Sequence, residues 1–363
     1  MDGLFNFFKQ SVSPSYLGVD IGTTSIKAVE VRSGKKRIAE VVNYGFLESS
    51  GYLARANQVL QTSSIKIFEK EALELLQVVL REMKPRATDV IASIPTFSAF
   101  LTVLDFPAMG PADLAKAMTY QARQYVPLPI SEVAIDWMKV GESKDEKGFV
   151  HQQILLISVP QEQIKKYQRM FKLAGLNLKA LEIESLSLAR IFGGTDPTPT
   201  IVVDIGSRST NIAFLEKGQL KFNAQSDFAG ASLTQALAAS LGINSLRAEE
   251  LKKERGIVGT GPNYELSTIM LPFLDAIISE VKKARYKYIS QFPEAPKLER
   301  AILAGGGANL LGIEKYFERE MEIKVVRAAP FTLFEYQPDI EPLVNELNPL
   351  MGVALGLALK EFI

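Results

Sequence analysis

A short phrase occurs twice in this chain, about half a chain apart. The first copy, GVDIGTTSIKAVEV, begins at Gly18, and the second, VVDIGSRSTNIAFL, begins at Val202. In each copy an apolar strand runs into Asp-Ile-Gly, a small polar turn follows, and a second strand returns, which predicts a hairpin. A single Asp-x-Gly turn is usually only a turn. Two copies in matching contexts predict instead that the two turns bind one phosphate chain from opposite sides.

Each hairpin supplies carboxylate, hydroxyl and backbone N–H groups. The carboxylates suit a magnesium ion, which prefers a few carboxylates together with waters and phosphate oxygens. The glycine permits a tight turn, and successive N–H groups in such a turn form a concavity for anions. These groups belong to Asp20, Gly22, Thr23, Thr24 and Ser25 in the first hairpin, and to Asp204, Gly206, Ser207 and Ser209 in the second.

A third motif follows late in the chain. From Ala301 an apolar strand runs into Gly305, Gly306 and Gly307, and a helical pattern continues from 310 to 321. The glycines allow the backbone to approach a flat ligand closely, and a helix start offers free N–H groups. This order of motifs predicts a nucleotide site.

With these three motifs the chain resembles the actin-like ATPase superfamily, which includes actin, sugar kinases, heat-shock ATPases, FtsA and MreB. The resemblance implies an α/β, actin-like two-lobed ATPase fold with ribonuclease-H-like subdomains 1A and 2A and Mg²⁺-ATP between the lobes. It implies that Asp20 and Asp204 act on Mg²⁺ largely through water. It also implies that Lys27 contacts phosphate, whereas the second copy carries Asn211 at that place. The phosphate loops then comprise Gly22, Thr23, Thr24, Ser25, Gly206 and Ser207.

Two further fragments match this superfamily. Ala248-Glu-Glu-Leu-Lys252 resembles the ribose-binding segment of FtsA and MreB, which implies that Glu249 and Lys252 bind ribose; their spacing puts both on one helix face. The segment 183–189 resembles the helix that connects the lobes. Glu184 matches a catalytic glutamate there, and Ser185 replaces the proline that usually follows it. With no other candidate to orient a water, slow or negligible ATP turnover is expected.

Between these motifs the pattern predicts a β-α-β-β-α module of about eighty residues. Its elements are expected to be a strand over 97–106, a helix over 111–125, strands over 133–140 and 153–159, and a helix over 161–174. Runs such as Gln121-Ala-Arg-Gln-Tyr-Val-Pro-Leu-Pro-Ile130 resemble the PilM family of type IV pilus proteins, which shares a 1C module with FtsA. The implied domains are a tail 1–14, subdomain 1A 15–87 (completed by 178–197 and 346–363), 1C 88–177, and a second lobe 198–345 with 2B at about 225–295.

The PilM resemblance implies partners. Members bind the cytoplasmic N-terminal peptide of PilN, an inner-membrane protein, in a groove between 1A and 1C, and through it reach PilO, PilP and the pilus motors. Phe97, Phe100 and Phe106 of the module are expected to be core residues. An FtsA-like filament former, which would self-associate, and a sugar-kinase-type enzyme remain alternatives. A heat-shock chaperone is disfavoured because no substrate-binding domain follows.

Composition narrows the remaining classes of fold, partner and catalysis. The 363 residues exceed one ordinary core, so two lobes are expected. Cationic and anionic residues balance at 41 each, which gives no reason to expect nucleic acid as a partner. The chain has no cysteine and a single histidine, His151, which argues against thiol and Ser–His catalysis. No run suits a membrane span or a secretion signal, so a cytoplasmic location is expected, peripheral to the inner membrane through the partner. Near the N-terminus, Leu4, Phe5, Phe7 and Phe8 suit a membrane, a partner or the protein's own surface equally.

Overall fold

The computed structural model describes residues 14–48, 65–144, 147–194, 196–258 and 264–363. The N-terminal side chains from Leu4 to Phe8 lie outside the described residues. The strands are β1 (Ser15–Ile21), β2 (Ser25–Ser33), β3 (Ala39–Glu48), β4 (Asp89–Ile94), β5 (Phe100–Pro107), β6 (Val133–Lys144), β7 (Val150–Pro160), β8 (Asn177–Ile183), β9 (Thr200–Ile205), β10 (Thr210–Glu216), β11 (Gln219–Ser226), β12 (Arg300–Ala304), β13 (Lys324–Arg327) and β14 (Phe334–Tyr336).

The helices fill the intervals between these strands. They are α1 (Ile65–Met83), α2 (Pro111–Tyr125), α3 (Gln161–Leu173), α4 (Glu184–Gly193), α5 (Gly230–Leu241), α6 (Ser245–Arg255), α7 (Tyr264–Gln291), α8 (Ile313–Met321), α9 (Glu341–Leu350) and α10 (Gly352–Ala358). Short 3-10 turns cover Thr96–Ser98, Ile130–Glu132, Gly306–Asn309, Pro330–Leu333, Pro338–Ile340 and Leu359–Glu361.

Three sheets organise these elements. The first lobe has a six-stranded sheet in the order β14-β3-β2-β1-β4-β8, and the second lobe has a five-stranded sheet in the order β11-β10-β9-β12-β13. A module inserted in the first lobe has a three-stranded sheet in the order β5-β7-β6. One apolar cluster includes Ile91, Leu155 and Val202, so it draws on all three sheets. The two lobes and the module therefore share a continuous core.

The first strand, β1, and the last α-helix, α10, meet in the first lobe. Helix α10 is buried along its whole length and packs across β1. A Cβ atom at Gly18 would overlap the carbonyl oxygen of Ala354, so this position, where the first copy of the phrase begins, has to be glycine. Ala354, Leu355 and Ala358 are all fully buried here, and burying a leucine side chain alone contributes about 1.5–3 kcal/mol. The C-terminal helix thus fixes the strand that leads into the first hairpin.

The structure differs from several sequence expectations. Strand β5 begins at Phe100 because Thr96–Ser98 form a 3-10 turn, and Phe97 is 57% exposed, so its expected core position was wrong. Phe106 is buried as expected, and Phe100 packs half-buried against the module core. Helix α8 begins at Ile313, later than expected, because Gly312 before it has a positive φ of 90°.

Strand β4 also changes a domain boundary. The sequence division assigned residues 88–177 to the module, but β4 pairs in parallel with both β1 and β8 in the six-stranded sheet. The three-stranded sheet begins only at Phe100. Likewise, β14 lies in the stretch assigned to the second lobe but pairs with β3 of the first. Within the described residues no single helix has the length and apolar character of a membrane span. One helix pair, Pro338–Leu350 and Gly352–Glu361, has that length and apolar character only when the two helices are taken together, and the pair is sharply bent.

Candidate functional site

The two copies of the repeated phrase form hairpins with the same geometry. In the first, the Gly22 N–H donates to the Ser25 carbonyl at 2.9 Å, and in the second, the Gly206 N–H donates to the Ser209 carbonyl at 3.0 Å. Asp20 lies opposite Lys27 in the register of β1 and β2. The corresponding pair on β9 and β10 is Asp204 and Asn211.

Strand β4 holds the first aspartate in place. The Ser93 hydroxyl donates to Asp20 Oδ1 at 2.8 Å and accepts a hydrogen bond from the Ile21 N–H at 3.2 Å. The other carboxylate oxygen of Asp20 accepts from Lys27 Nζ at 2.9 Å. Asp20 is 3% exposed, so its direction is fixed from two sides. Ser93 lies in an ordinary buried strand, and no motif in the sequence marks it.

The two hairpins converge on a cleft between the lobes with a volume of about 530 Å³. Gly305 lies directly beside Asp204, because a Cβ atom at Gly305 would overlap Oδ1 of Asp204. Every residue assigned to nucleotide or metal from the sequence lines this cleft. These residues are Asp20, Gly22, Thr23, Thr24, Ser25, Lys27, Glu184, Asp204, Gly206, Ser207, Glu249, Lys252, Gly305, Gly306 and Gly307.

The charges at the bottom of the cleft do not balance. Burial raises the pKa of Asp204 to about 6; repulsion from Asp20 adds to this and Lys27 opposes it. Burial, with repulsion from Asp20 and Asp204, raises the pKa of Glu184 to about 8. Burial lowers the pKa of Lys27, but attraction to Asp20 and Asp204 outweighs it, so the net pKa is raised. Three carboxyl groups therefore compete for one ammonium group.

The second lobe contributes a separate charged cluster. Lys252 Nζ donates to Glu249 Oε2 at 2.6 Å, to the Gly230 carbonyl at 3.1 Å and to the Thr234 hydroxyl at 2.9 Å. The Thr234 hydroxyl also donates to Glu249. Burial would raise the pKa of Glu249, but attraction to Lys252 outweighs it and the net pKa is lowered. Helix α6 thus presents a fixed carboxylate to the cleft beside the start of α5.

A set of polar side chains, the junction network, joins the lobes where α4 begins. Glu184 Oε2 accepts from the Thr96 N–H at 3.3 Å. Asn211 Nδ2 reaches both the Ser185 hydroxyl at 3.0 Å and the Thr96 hydroxyl at 3.3 Å. Ser185 stands where the resemblance implied a proline, and its hydroxyl accepts the hydrogen bond from Asn211. Phe97 follows Thr96 and also lines the cleft; sequence reasoning missed both residues, because no motif surrounds them.

A second cavity, the strand-edge groove, lies between the six-stranded sheet and the module and has a volume of about 290 Å³. β8 and β6 are edge strands of their sheets within the described residues, and both line this groove. Its apolar walls comprise Ile94, Ile135, Ile157, Val159, Ile164, Leu178, Leu181, Ile183 and Leu186. At one end Glu182 accepts two hydrogen bonds of 2.7 Å from Arg190 and one of 2.9 Å from Lys360.

Comparison with known proteins identifies the family. The model of the family described as type IV pilus assembly protein PilM matches residues 18–362. The chain belongs to this family. Membership confirms the resemblance drawn from the module and the protein's role as a type IV pilus assembly component.

Related proteins agree with the PilM assignment. The structure of a PilM–PilN type IV pilus biogenesis complex is 22% identical, with a TM-score of 0.77 over 96% of this chain and 98% of that one. Cell division protein FtsA of Enterococcus faecalis is 23% identical over 350 residues, covering 85% of this chain and 78% of its own. MreB5 of Spiroplasma citri, solved bound to ADP, is 14% identical with a TM-score of 0.54 over 94% of each chain. These likenesses confirm the FtsA-like branch of the actin-like fold.

The described residues do not form a complete set of metal ligands on their own. Among the described residues no group of three or more His, Cys, Asp or Glu side chains has the geometry to hold a metal ion. Asp20 and Asp204 alone would leave most of the coordination shell of Mg²⁺ to water and phosphate, which is how this ion is usually bound beside nucleotides. The unbalanced carboxylates of the cleft therefore fit Mg²⁺ that arrives with a phosphate ligand.

Proposed function

We propose that the protein binds the cytoplasmic N-terminal peptide of a PilN-like inner-membrane protein in the strand-edge groove, and that it holds Mg²⁺-ATP in the interlobe cleft. Through this partner it connects indirectly to PilO-like and PilP-like proteins and to the pilus motors. The protein then lies on the cytoplasmic side, peripheral to the inner membrane. The observation that carries the proposal is the apolar groove between two edge strands.

The groove suits an extended peptide. Each edge strand carries unpaired N–H and C=O groups, and an added strand satisfies them while side-chain pockets supply specificity. Aliphatic walls such as Ile135 and Leu178 accept apolar side chains of the peptide. The Glu182–Arg190–Lys360 cluster offers charged partners at one end. A PilM–PilN type IV pilus biogenesis complex is known for a protein of the same fold.

The nucleotide assignment rests on the cleft. When bound together with ATP, the Mg²⁺ ion would supply the positive charge that the carboxyl groups of Asp20, Asp204 and Glu184 lack. The two hairpin turns would hold the phosphates through N–H and hydroxyl groups, Lys27 would add an ammonium group, and Glu249 and Lys252 would contact the ribose. The glycines of 305–307 would admit the base. Glu184 is the proposed water-orienting carboxylate, and its hydrogen bond from Thr96 restrains it.

The nucleotide acts as a switch or structural ligand in this proposal. ATP between two lobes shifts the lobe equilibrium only through different affinities for open and closed forms.

The sheets suggest the following domain division. Subdomain 1A comprises residues 15–94 with 177–197, 334–336 and 346–363, and 1C comprises 100–173. The second lobe comprises the β9–β13 sheet (2A) with 2B inserted at about 225–295.

The test of the partner assignment is calorimetric titration with the cytoplasmic peptide of a PilN-like protein, with and without Mg²⁺-ATP. Ala134 lines the groove and is exposed, so Ala134→Arg fills the groove without disturbing the core. Peptide binding should be lost in this variant. Ala239→Arg, on the exposed side of α5, is the matched control and should bind normally. Equal binding by both variants would exclude the groove.

A further inference from the structure

Helix α3, which forms one wall of the strand-edge groove, carries four cationic side chains and one acidic one. Tyr167, Met170 and Phe171 are buried on its inner side. Ile164 and Gln168 face the groove. The next positions around the helix are Lys165, Arg169 and Lys172, which share one face because side chains three and four residues apart lie together.

These three residues form what we call the basic stripe. All three are exposed, although Arg169 also has a contact within the protein. Leu173, the last residue of α3, is 60% exposed and extends the stripe with an apolar side chain. Lys179 of β8 is also exposed and lines the groove, where it pairs with Asp89 at 3.5 Å. The whole chain has no net charge, so this positive face is a local feature.

We propose that the basic stripe contacts anionic phospholipid headgroups of the membrane that anchors the partner. This inference rests on the proposed function, because a peptide seated beside α3 tethers the stripe to the bilayer from which that peptide emerges. Juxtamembrane cations are attracted to an anionic leaflet, and each one near the surface raises the partition constant by about fivefold. An exposed leucine at the end of a basic face suits the headgroup boundary.

Two exposed lysines on another helix allow a matched control. Helix α7 exposes Lys282 and Lys287 on the second lobe, away from the groove. The double substitution Lys282→Glu with Lys287→Glu changes the net charge of the protein by the same amount as Lys165→Glu with Lys172→Glu on α3. The two double variants therefore separate location from overall charge. The N-terminal residues, with Phe5, Phe7 and Phe8, are identical in both variants and in the natural chain.

The experiment is co-sedimentation of the full chain with vesicles of phosphatidylglycerol and phosphatidylcholine, compared with phosphatidylcholine alone. We expect binding only to the anionic vesicles, weakening as salt is added. The α3 double variant should lose about tenfold or more of its partition constant, and the α7 double variant should keep it. No binding to anionic vesicles, or an equal loss in both variants, overturns the proposal.

A second arm separates this inference from the proposed function. Vesicles carrying the lipid-anchored partner peptide are compared with bare ones, and free peptide binding is titrated for each variant. We expect the α3 double variant to bind free peptide normally but to bind anionic peptide-bearing vesicles no better than neutral ones. If free peptide fails to bind any variant, the proposed function fails, while the bare anionic vesicles still test the stripe. If the natural chain binds the anchored peptide equally on neutral and anionic vesicles, the stripe does not contact anionic lipid when the peptide is bound, which also overturns the proposal.

Discussion

Lys253 Nζ of α6 lies 2.7 Å from Glu48 Oε2 at the end of β3, and this ion pair joins the second lobe to the first across the cleft. Both side chains line the cleft and are partly exposed, at 55% and 40%. Lys253 also lies 3.9 Å from Glu249, the proposed ribose contact. The pair must part when the lobes separate, so it opposes release of a ligand bound between them.

Glu48→Gln should therefore accelerate nucleotide release. Exposed ion pairs contribute about 0.2–1 kcal/mol, which corresponds to dissociation about 1.4- to fivefold faster. Stopped-flow release of a fluorescent ATP analogue measures this rate. The exchange Glu48→Lys with Lys253→Glu should restore slow release, and Lys283→Met, which breaks a comparable exposed pair with Glu280, should have no effect. An unchanged rate in Glu48→Gln would mean that the pair does not restrain the lobes.

Asp204→Asn should weaken Mg²⁺-ATP binding without unfolding the protein. Its folded-state pKa is raised to about 6 by burial, so the ionised carboxylate disfavours the folded state above that pH. The isosteric amide removes this cost, and the melting temperature at neutral pH without ligand should stay the same or rise. In the natural chain, Mg²⁺-ATP should raise the melting temperature. In Asp204→Asn this ligand-induced rise should disappear, because the affinity falls by about tenfold or more.

The control for this variant is Asp339→Asn, which changes an exposed aspartate that does not line the cleft. It should show the full ligand-induced rise measured by differential scanning fluorimetry. Should Asp204→Asn keep that rise, the assignment of Asp204 to the metal is wrong. Asp204→Ala should give the same loss of binding, since it also removes the carboxylate.

Glu184→Gln should remove a pH-dependent loss of stability. The pKa of Glu184 is raised from 4.5 to about 8, chiefly by burial, so the folded state favours the protonated form. That stabilisation is complete below 4.5 and is lost as the pH rises to about 8. Denaturant titrations without nucleotide should show the advantage of Glu184→Gln growing across this interval and levelling off above it. A difference that does not vary with pH would contradict the raised pKa.

The sequence predicted the residues of the cleft better than it predicted the residues that join the lobes and the module around it. Asp20, Asp204 and the three glycines lie in phrases whose spacing and strand context repeat, so local pattern alone indicated them. Ser93 and Thr96 act through tertiary contacts from an ordinary buried strand and its end. Phe97 sits in an alternating apolar run, yet a 3-10 turn directs it to the cleft. Such turns depend on how the module joins the sheet, which short-range periodicity does not encode.

Asn211 should matter more for coupling the lobes than for binding phosphate. It occupies the register position of Lys27 in the second hairpin, but its amide donates to Ser185 and Thr96 and its Oδ1 accepts from Asn223 at 2.5 Å. Asn211→Ala removes the amide partner of both buried hydroxyls, which keep only their contact with each other at 3.3 Å and that of Thr96 with Glu184 at 3.4 Å. The expected loss in the free energy of unfolding is about 1–3 kcal/mol, measured by denaturant titration.

The lobes of Asn211→Ala should also sample wider separations, because the amide is a direct polar link between β10 and the start of α4. Small-angle scattering without nucleotide should give a larger radius of gyration than for the natural chain. Asn345→Ala removes an exposed hydrogen bond to Arg327 within the same cleft and should leave both measurements nearly unchanged. A variant at Asn211 that is as stable and compact as the natural chain would mean that apolar packing alone, through the core shared by Ile91, Leu155 and Val202, sets the relation between the lobes.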